Sequence, residues 1–318
     1  MSVALITGGS AGLGRALVRA LAQEGWTVVT DARDRALLAE MEAQNVLTVG
    51  GDVADAGHRA ALAAEVNRLG RLDLLVHNAS TLGPLPMRPL RDLSPRELYE
   101  TWAVNTEAPL ALTQLVLGHL KESDGVLVSL SSDAAVEHYE TWGAYGASKA
   151  ALDHLTLTWA AEEGLAGYAV DPGDMRTAMH QDAFPDEDIS DLPLPRTVVP
   201  HLLELFQQRP PSGRYRAADI AVKVGVWHAD PQGALRDGCW ATSSGSTPDD
   251  GVLAAPRSVR AGPGRGPRRR PRRREDAGRE TRRRHPRPVP RPAAAAPCRG
   301  RRRREQLRNR GRRARRRG

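Results

Sequence analysis

The sequence predicts an α/β fold, a doubly wound parallel sheet with helices on both faces. Three observations carry that prediction. Short apolar runs alternate with helical patterns from the first residues to about residue 160. A glycine-rich turn joins the first apolar run to the first helical pattern. Gly70 and Gly125 punctuate helix-to-strand junctions further along.

Taken in order, Val3-Ala4-Leu5-Ile6-Thr7 is a short apolar run and reads as a buried strand. It leads into Gly8-Gly9-Ser10-Ala11-Gly12-Leu13-Gly14 and then into the amphipathic pattern of Arg15 to Ala22. Strand, glycine turn and helix in that order make an entry for a dinucleotide. Glycines let the backbone approach a pyrophosphate, whose charge is stabilised at the helix N-terminus. A second strand, Thr27 to Thr30, ends in Asp31-Ala32-Arg33-Asp34. An acid there would accept from a ribose 2′-hydroxyl, whereas an arginine would pair with a 2′-phosphate. Both residue types are present, and the pattern alone leaves both readings open.

Further strands are predicted at Leu47-Thr48-Val49, Leu72 to Val76 and Gly125 to Leu130, with helices over Arg59 to Arg68, Pro95 to Thr113 and Ala147 to Ala161. Glu163 to Tyr168 must hold a helix end, a turn and a strand start. Residues 174–200 are rich in acids, Pro and Met and read by composition as a solvated acidic loop. Met175, Met179 and Phe184 in that stretch suit an apolar substrate. Thr197 to Gln207 is a helical pattern, and Ser212 to Ala217 supplies a last strand.

The chemistry concentrates in Ala144-Tyr145-Gly146-Ala147-Ser148-Lys149, with Ser132 thirteen positions before the tyrosine. Tyr145 and Lys149 are four apart, so on a helix they share a face. A phenol titrates near about 10, and a fixed ammonium nearby is expected to pull it down toward a range useful for proton transfer. A serine hydroxyl can donate to the same substrate oxygen. Such a group handles the proton of a carbonyl or alcohol, given a hydride carrier beside it.

Thr7-Gly8-x-x-x-Gly12-x-Gly14, Asp52-Val53, Asn78-Ala79, Asn105, Ser132, Tyr145-x-x-x-Lys149 and Pro172-Gly173 occur in one order at compatible spacings. Together they resemble the short-chain dehydrogenase/reductase family over roughly residues 1–219. The resemblance implies a Rossmann-type, three-layer α/β/α fold and an NAD(P)-dependent oxidoreductase. It implies that Gly8, Ser10, Gly12, Leu13 and Gly14 line the pyrophosphate turn, that Asp52 and Val53 contact the adenine, and that Asn78 and Ala79 follow the fourth strand at the cofactor. Tyr145 would be the general acid/base, Ser132 would hold the substrate oxygen, and Lys149 would bind the nicotinamide ribose. Asn105 would anchor a water that relays protons to Lys149. Pro172, Gly173 and Thr177 would hold the nicotinamide end, and residues 174–200 would form a mobile lid over the substrate, a reading that stands level with a solvated acidic loop. In that register Arg33 falls where NADP-preferring members carry their basic residue, so NADP(H) is favoured over NAD(H). The substrate is a small-molecule carbonyl or alcohol, and a homodimer or tetramer is the family's common assembly.

This sequence departs from the pattern at several points. His77 stands for the usual first Asn of the motif, where a core histidine is expected, and Ser80 stands for the usual Gly. Ala11 occupies a position where some NADP-preferring members are basic. The interval from Lys149 to Pro172 is short, which is expected to trim the strand bordering the cofactor pocket.

Charge divides the chain of 318 residues into two unlike parts. Residues 257–318 hold 27 arginines against four acids (Glu275, Asp276, Glu280, Glu305), a formal +23 within the whole chain's +8; the first 256 residues are therefore at −15. The arginine-, proline-, glycine- and alanine-rich stretch cannot bury a core and is expected to be a disordered tail. Dense arginine attracts phosphate, so a nucleic-acid-binding arm is one reading. Without interleaved aromatics or an RNA-reading fold that reading is not favoured over a solvated linker, or over GC-rich DNA translated out of frame. Residues 220–256 fit no element of the fold. Cys239 and Cys298 imply no disulfide framework, no histidine spacing suggests a metal, and neither a signal peptide nor a membrane span is evident. A cytoplasmic protein is expected.

Overall fold

A computed structural model describes residues 1–222. The expectations for 257–318, and for nearly all of 220–256, fall outside these described residues.

Seven strands form one parallel sheet: β1 (Val3–Ile6), β2 (Thr27–Ala32), β3 (Val46–Gly50), β4 (Leu74–His77), β5 (Val126–Leu130), β6 (Ala166–Asp171) and β7 (Gly213–Arg216). Their spatial order is β3-β2-β1-β4-β5-β6-β7. Every pairing is parallel, as crossover helices require. The order reverses between β1 and β4. Chain leaving those two strands therefore diverges to opposite faces and opens a crevice at their carboxyl ends.

Alternation along β1 shows how the sheet is buried. Ala4 and Ile6 face one layer, with Val28, Val76 and Val128; α1 (Gly12–Gln23) covers them through Leu13, Leu17 and Leu21, and α8 (Val199–Gln208) through Leu202 and Leu205. Val3 and Leu5 face the other layer, with Val29, Leu75 and Leu127. There α3 (Ala56–Leu69) contributes Leu62 and Val66, and α5 (Ala108–Glu122) contributes Leu112, Val116 and Leu120. Both faces are dry, so the strands read as continuous apolar runs rather than alternating ones.

Between β2 and β3 lies α2 (Arg35–Ala39), a single turn or so whose start is capped by Asp34 accepting from Ala36 and Leu37 N–H. The helix expected over Pro95 to Thr113 divides in two. α4 (Pro95–Trp102) opens on a capping box of Ser94 and Glu97, and a π-helical turn over Ala103–Glu107 precedes α5. The wider turn tucks Asn105 and Thr106 inward, and local π geometry of this kind recurs at functional sites.

α6 (Gly143–Glu163) is longer than its sequence pattern indicated. It ends on a left-handed Gly164, and β6 begins two residues later. The trimming expected here does not reach the strand. β6 keeps five register pairs with β5 and four with β7. Residues 174–200 include α7 (Ala178–Ala183), capped by Thr177 accepting from the His180 N–H. Among the described residues, no helix is long and apolar enough to cross a membrane.

Candidate active site

The glycine turn sits at the carboxyl end of β1. Asn78, just past β4, donates from Nδ2 to the carbonyls of Thr7 and Gly8 at 2.8 and 3.0 Å, tying the two diverging chains together. A Cβ on Gly14 would come within 2.4 Å of both Asn78 Nδ2 and the Gly8 carbonyl oxygen. Only glycine lets α1 approach that closely, so Gly14 supports the turn from behind rather than lining the cleft.

A cleft of about 590 Å³ opens over the turn. Gly8, Ser10, Gly12 and Leu13 line its floor, and Arg33, Asp52 and Val53 stand at one end. Asn78, Ala79, Ser132, Tyr145, Lys149, Pro172, Gly173 and Thr177 line the rest. Of the residues singled out from sequence, Asn105 joins Gly14 as one that does not line the cleft. It is fully buried behind it. Its Oδ1 accepts from Ser80 Oγ at 3.2 Å and Thr81 N–H at 2.9 Å, and its Nδ2 donates to the Thr81 carbonyl and Ser148 Oγ, both at 2.9 Å. The side chain thus spends its polar atoms on holding the loop after β4 against α6.

Tyr145 occupies the first turn of α6, and Lys149 follows one turn on. The Ser132 and Ser80 hydroxyls lie beside the phenol, with Ser132 Oγ donating to Asp133 Oδ1 at 3.0 Å and Ser80 Oγ to Asn105 Oδ1 at 3.2 Å. The Lys149 ammonium, fully buried, donates to the Leu130 carbonyl at 2.7 Å and lies over the Tyr145 ring. Burial pushes the phenol up to about 12; the neighbouring Ser132 and Ser80 hydroxyls oppose this, while the charges of Asp133 and Asp171 add to it. Spacing alone predicts the opposite direction. The physical reason is that desolvating a prospective phenolate outweighs a cation that faces the ring rather than the oxygen. Burial likewise draws Lys149 down to about 8, against the favourable field of Asp153.

Several contributing residues had not been singled out. Arg214, on β7, donates from Nη2 to the Ser132 carbonyl at 2.7 Å and from Nε to Asp153 Oδ2 at 3.1 Å. Ser131 Oγ donates to that same carboxylate oxygen at 2.8 Å. Ser80, a departure from the motif, lies beside Tyr145 and donates to Asn105 Oδ1. Trp142 packs edge-on to Tyr145 at 5.6 Å, and Leu82, Met179 and Ala183 complete an apolar wall around the phenol. His77 is a core residue: Nε2 shares a 2.8 Å hydrogen bond with Thr113 Oγ1, while Nδ1 has no partner. Burial, and then Lys149, hold this histidine down at about 3.

At the other end of the cleft, Asp34 is engaged in capping α2 and Asp31 is buried. Arg33 is exposed and makes no ion pair among the described residues.

The short chain dehydrogenase family model matches residues 2–188, more than half of the chain. The chain belongs to the short-chain dehydrogenase family. YciK, an uncharacterized oxidoreductase of Escherichia coli K12, is 32% identical over 218 residues, 64% of this chain and 85% of that protein. The benzil reductase ((S)-benzoin forming) of Saccharomyces cerevisiae, IRC24, is 32% identical over 65% of this chain and 81% of its own length. Among solved structures, a short chain dehydrogenase from Shigella flexneri 2A strain 301, complexed with NADP, superposes with a TM-score of 0.63. It is 30% identical and covers 68% of this chain and 97% of its own. As a member of this family, the protein is an NAD(P)-dependent oxidoreductase acting on carbonyl or alcohol groups.

Proposed function

We propose that this short-chain dehydrogenase reduces an apolar ketone with NADPH, and that Tyr145 donates the proton. One observation carries the reading: Tyr145 and Ser132 line the same glycine-floored cleft, with the buried Lys149 ammonium alongside the tyrosine ring.

The cradle suits a dinucleotide. The left-handed backbone at Gly8 and Gly12 leaves the turn bare for a pyrophosphate at the start of α1, and Gly14 lets that helix pack closely against it from behind. Gly8, Ser10, Gly12 and Leu13 would hold that group, Asp52 and Val53 the adenine, and Asn78, Ala79, Lys149, Pro172, Gly173 and Thr177 the nicotinamide half. When bound, the nicotinamide supplies a hydride to the substrate carbon. Arg33, without an ion pair among the described residues, favours a 2′-phosphate, which agrees with the NADP held by the Shigella relative.

The chain's own groups manage the oxygen. Ser132 and Tyr145 both donate to the carbonyl, orienting it and stabilising the negative charge that develops there. A phenol held near about 12 keeps its proton through the neutral range, so it serves as an acid and favours the reductive direction. Lys149, charged below about 8, stabilises the phenolate left after transfer. Asn105 and Ser80 fix the loop beside the phenol. The apolar wall of Trp142, Leu82 and Met179 excludes water and suits an aryl ketone, in line with the name of the yeast relative.

The test is NADPH consumption by the purified full-length protein across aryl, alkyl and charged carbonyl compounds. Aryl ketones should turn over fastest. No consumption with any carbonyl, or a preference for charged ones, contradicts the reading.

A further inference from the structure

Asp31 sits at the carboxyl end of β2, inside the cleft and two residues before Arg33. An acid at this edge ordinarily has two effects on a nucleotide. It accepts from a ribose 2′-hydroxyl, and it repels a 2′-phosphate. Here both carboxylate oxygens are engaged within the protein. Oδ1 accepts the Gly8 N–H at 2.7 Å. Oδ2 lies 2.8 Å from His58 Nε2, with both side chains buried.

His58 is an unusual residue for its place. It lies in the first turn of α3, four residues before Leu62 and eight before Val66, on the stripe that packs into the core. An apolar side chain would fit that stripe; a ring nitrogen there answers a polar partner. Two features fix the ring against Asp31. The His58 backbone N–H donates to Asp55 Oδ1 at 2.8 Å, anchoring the helix start. Gly51 leaves the room the ring needs, since a Cβ there would come within 2.2 Å of His58 Nδ1.

We propose that His58 is a specificity-determining positioning residue: by holding the Asp31 carboxylate against the glycine turn, it withdraws that acid from the adenosine ribose and leaves Arg33 as the charge the nucleotide meets. The role rests on the NADP(H) reading above. It predicts that discrimination between the cofactors depends on a residue of α3 that does not itself line the cleft.

The experiment is fluorescence titration of the full-length protein with NADPH and with NADH, comparing the ratio of the two dissociation constants. His58→Val should cut the preference for NADPH by about tenfold or more, the scale of one charge-assisted hydrogen bond. His58→Gln, which keeps an N–H donor on a side chain of similar reach, should stay near the wild-type ratio. Adding Asp31→Asn to His58→Val should restore the preference, because the carboxylate that His58 restrained is gone.

A purely structural histidine gives a different pattern. His58→Val would then weaken both cofactors by one factor and leave the ratio unchanged, and Asp31→Asn would rescue nothing; either result overturns the proposal. If His58→Val does not fold, Gly51→Ala, which drives a methyl into the ring, must lower the ratio, and an unchanged ratio is equally fatal. Wild-type protein that binds both nucleotides but favours NADH overturns this role and leaves the reductase reading standing. Wild-type protein that binds neither overturns both.

Discussion

The Lys149 ammonium lies over the face of the Tyr145 ring, 5.6 Å from its centroid, and spends a 2.7 Å hydrogen bond on the Leu130 carbonyl rather than on the phenol oxygen. Burial therefore outweighs whatever pull the cation exerts, and the phenol stays above its ordinary value. The ammonium becomes the group of the pair that titrates closest to neutrality.

The pH dependence of reduction follows. Tyr145, pushed up to about 12, keeps its proton, whereas Lys149 loses its charge as pH rises through about 8. With the ammonium gone, the phenolate formed on proton transfer loses its stabiliser. The kcat/KM for ketone reduction should be level on the acid side of that range and fall on the alkaline side. A pH–rate profile checks this; a rate that climbs steadily from neutral to strongly alkaline pH would contradict it.

Arg214 is expected to matter for turnover more than for cofactor binding. It braces the Ser132 carbonyl and the Asp153 carboxylate from β7. Arg214→Met should lower kcat by about tenfold, the cost of a slightly misplaced donor, with the NADPH dissociation constant within about twofold of wild type. Equal losses in both would assign Arg214 to general folding.

Gly14→Ala inserts a methyl where Asn78 Nδ2 and the Gly8 carbonyl oxygen each lie 2.4 Å away. Overpacking of this kind costs about 1–3 kcal/mol, and it falls on the contact that joins the turns after β1 and β4. Both the unfolding midpoint and NADPH affinity should drop. A variant with wild-type values for both would show that α1 and Asn78 are not packed this tightly.

His77 ties stability to acid pH. Its folded value of about 3 lies below the ordinary 6.5, so the unfolded chain binds the extra proton first as pH falls. Stability attributable to His77 is complete above pH 6.5 and declines below it, by at most about 1.4 kcal/mol per pH unit, until about 3. Urea unfolding at a series of pH values should show His77→Asn losing less stability on acidification than wild type. Parallel curves would contradict the assignment.

Much of this was legible in the sequence because the relevant signals are local. Strand, glycine turn and helix at the N-terminus, and Tyr145 four residues before Lys149, declare themselves through spacing and residue type. What escaped depends on contacts between distant segments. Arg214 reaches Ser132 across 82 positions, and no local pattern marks it. The π-helical turn that buries Asn105 was hidden because its flanks both read as helix. The direction of the Tyr145 shift could not be read from spacing, which places a cation nearby but says nothing of burial or of which part of the ring it faces. His58 did leave a trace, a polar residue on the apolar stripe of a helix, but its partner Asp31 lies 27 positions earlier.

The central claim is that the Tyr145 oxygen carries the proton to the substrate. Tyr145→Phe tests it most directly, since it deletes one oxygen and keeps the ring that packs on Trp142. Single-turnover reduction by that variant, measured alongside NADPH titration, should show cofactor affinity within about twofold of wild type and a rate lower by about a thousandfold or more. A Tyr145→Phe protein that binds NADPH normally and reduces ketones at the wild-type rate would contradict the account.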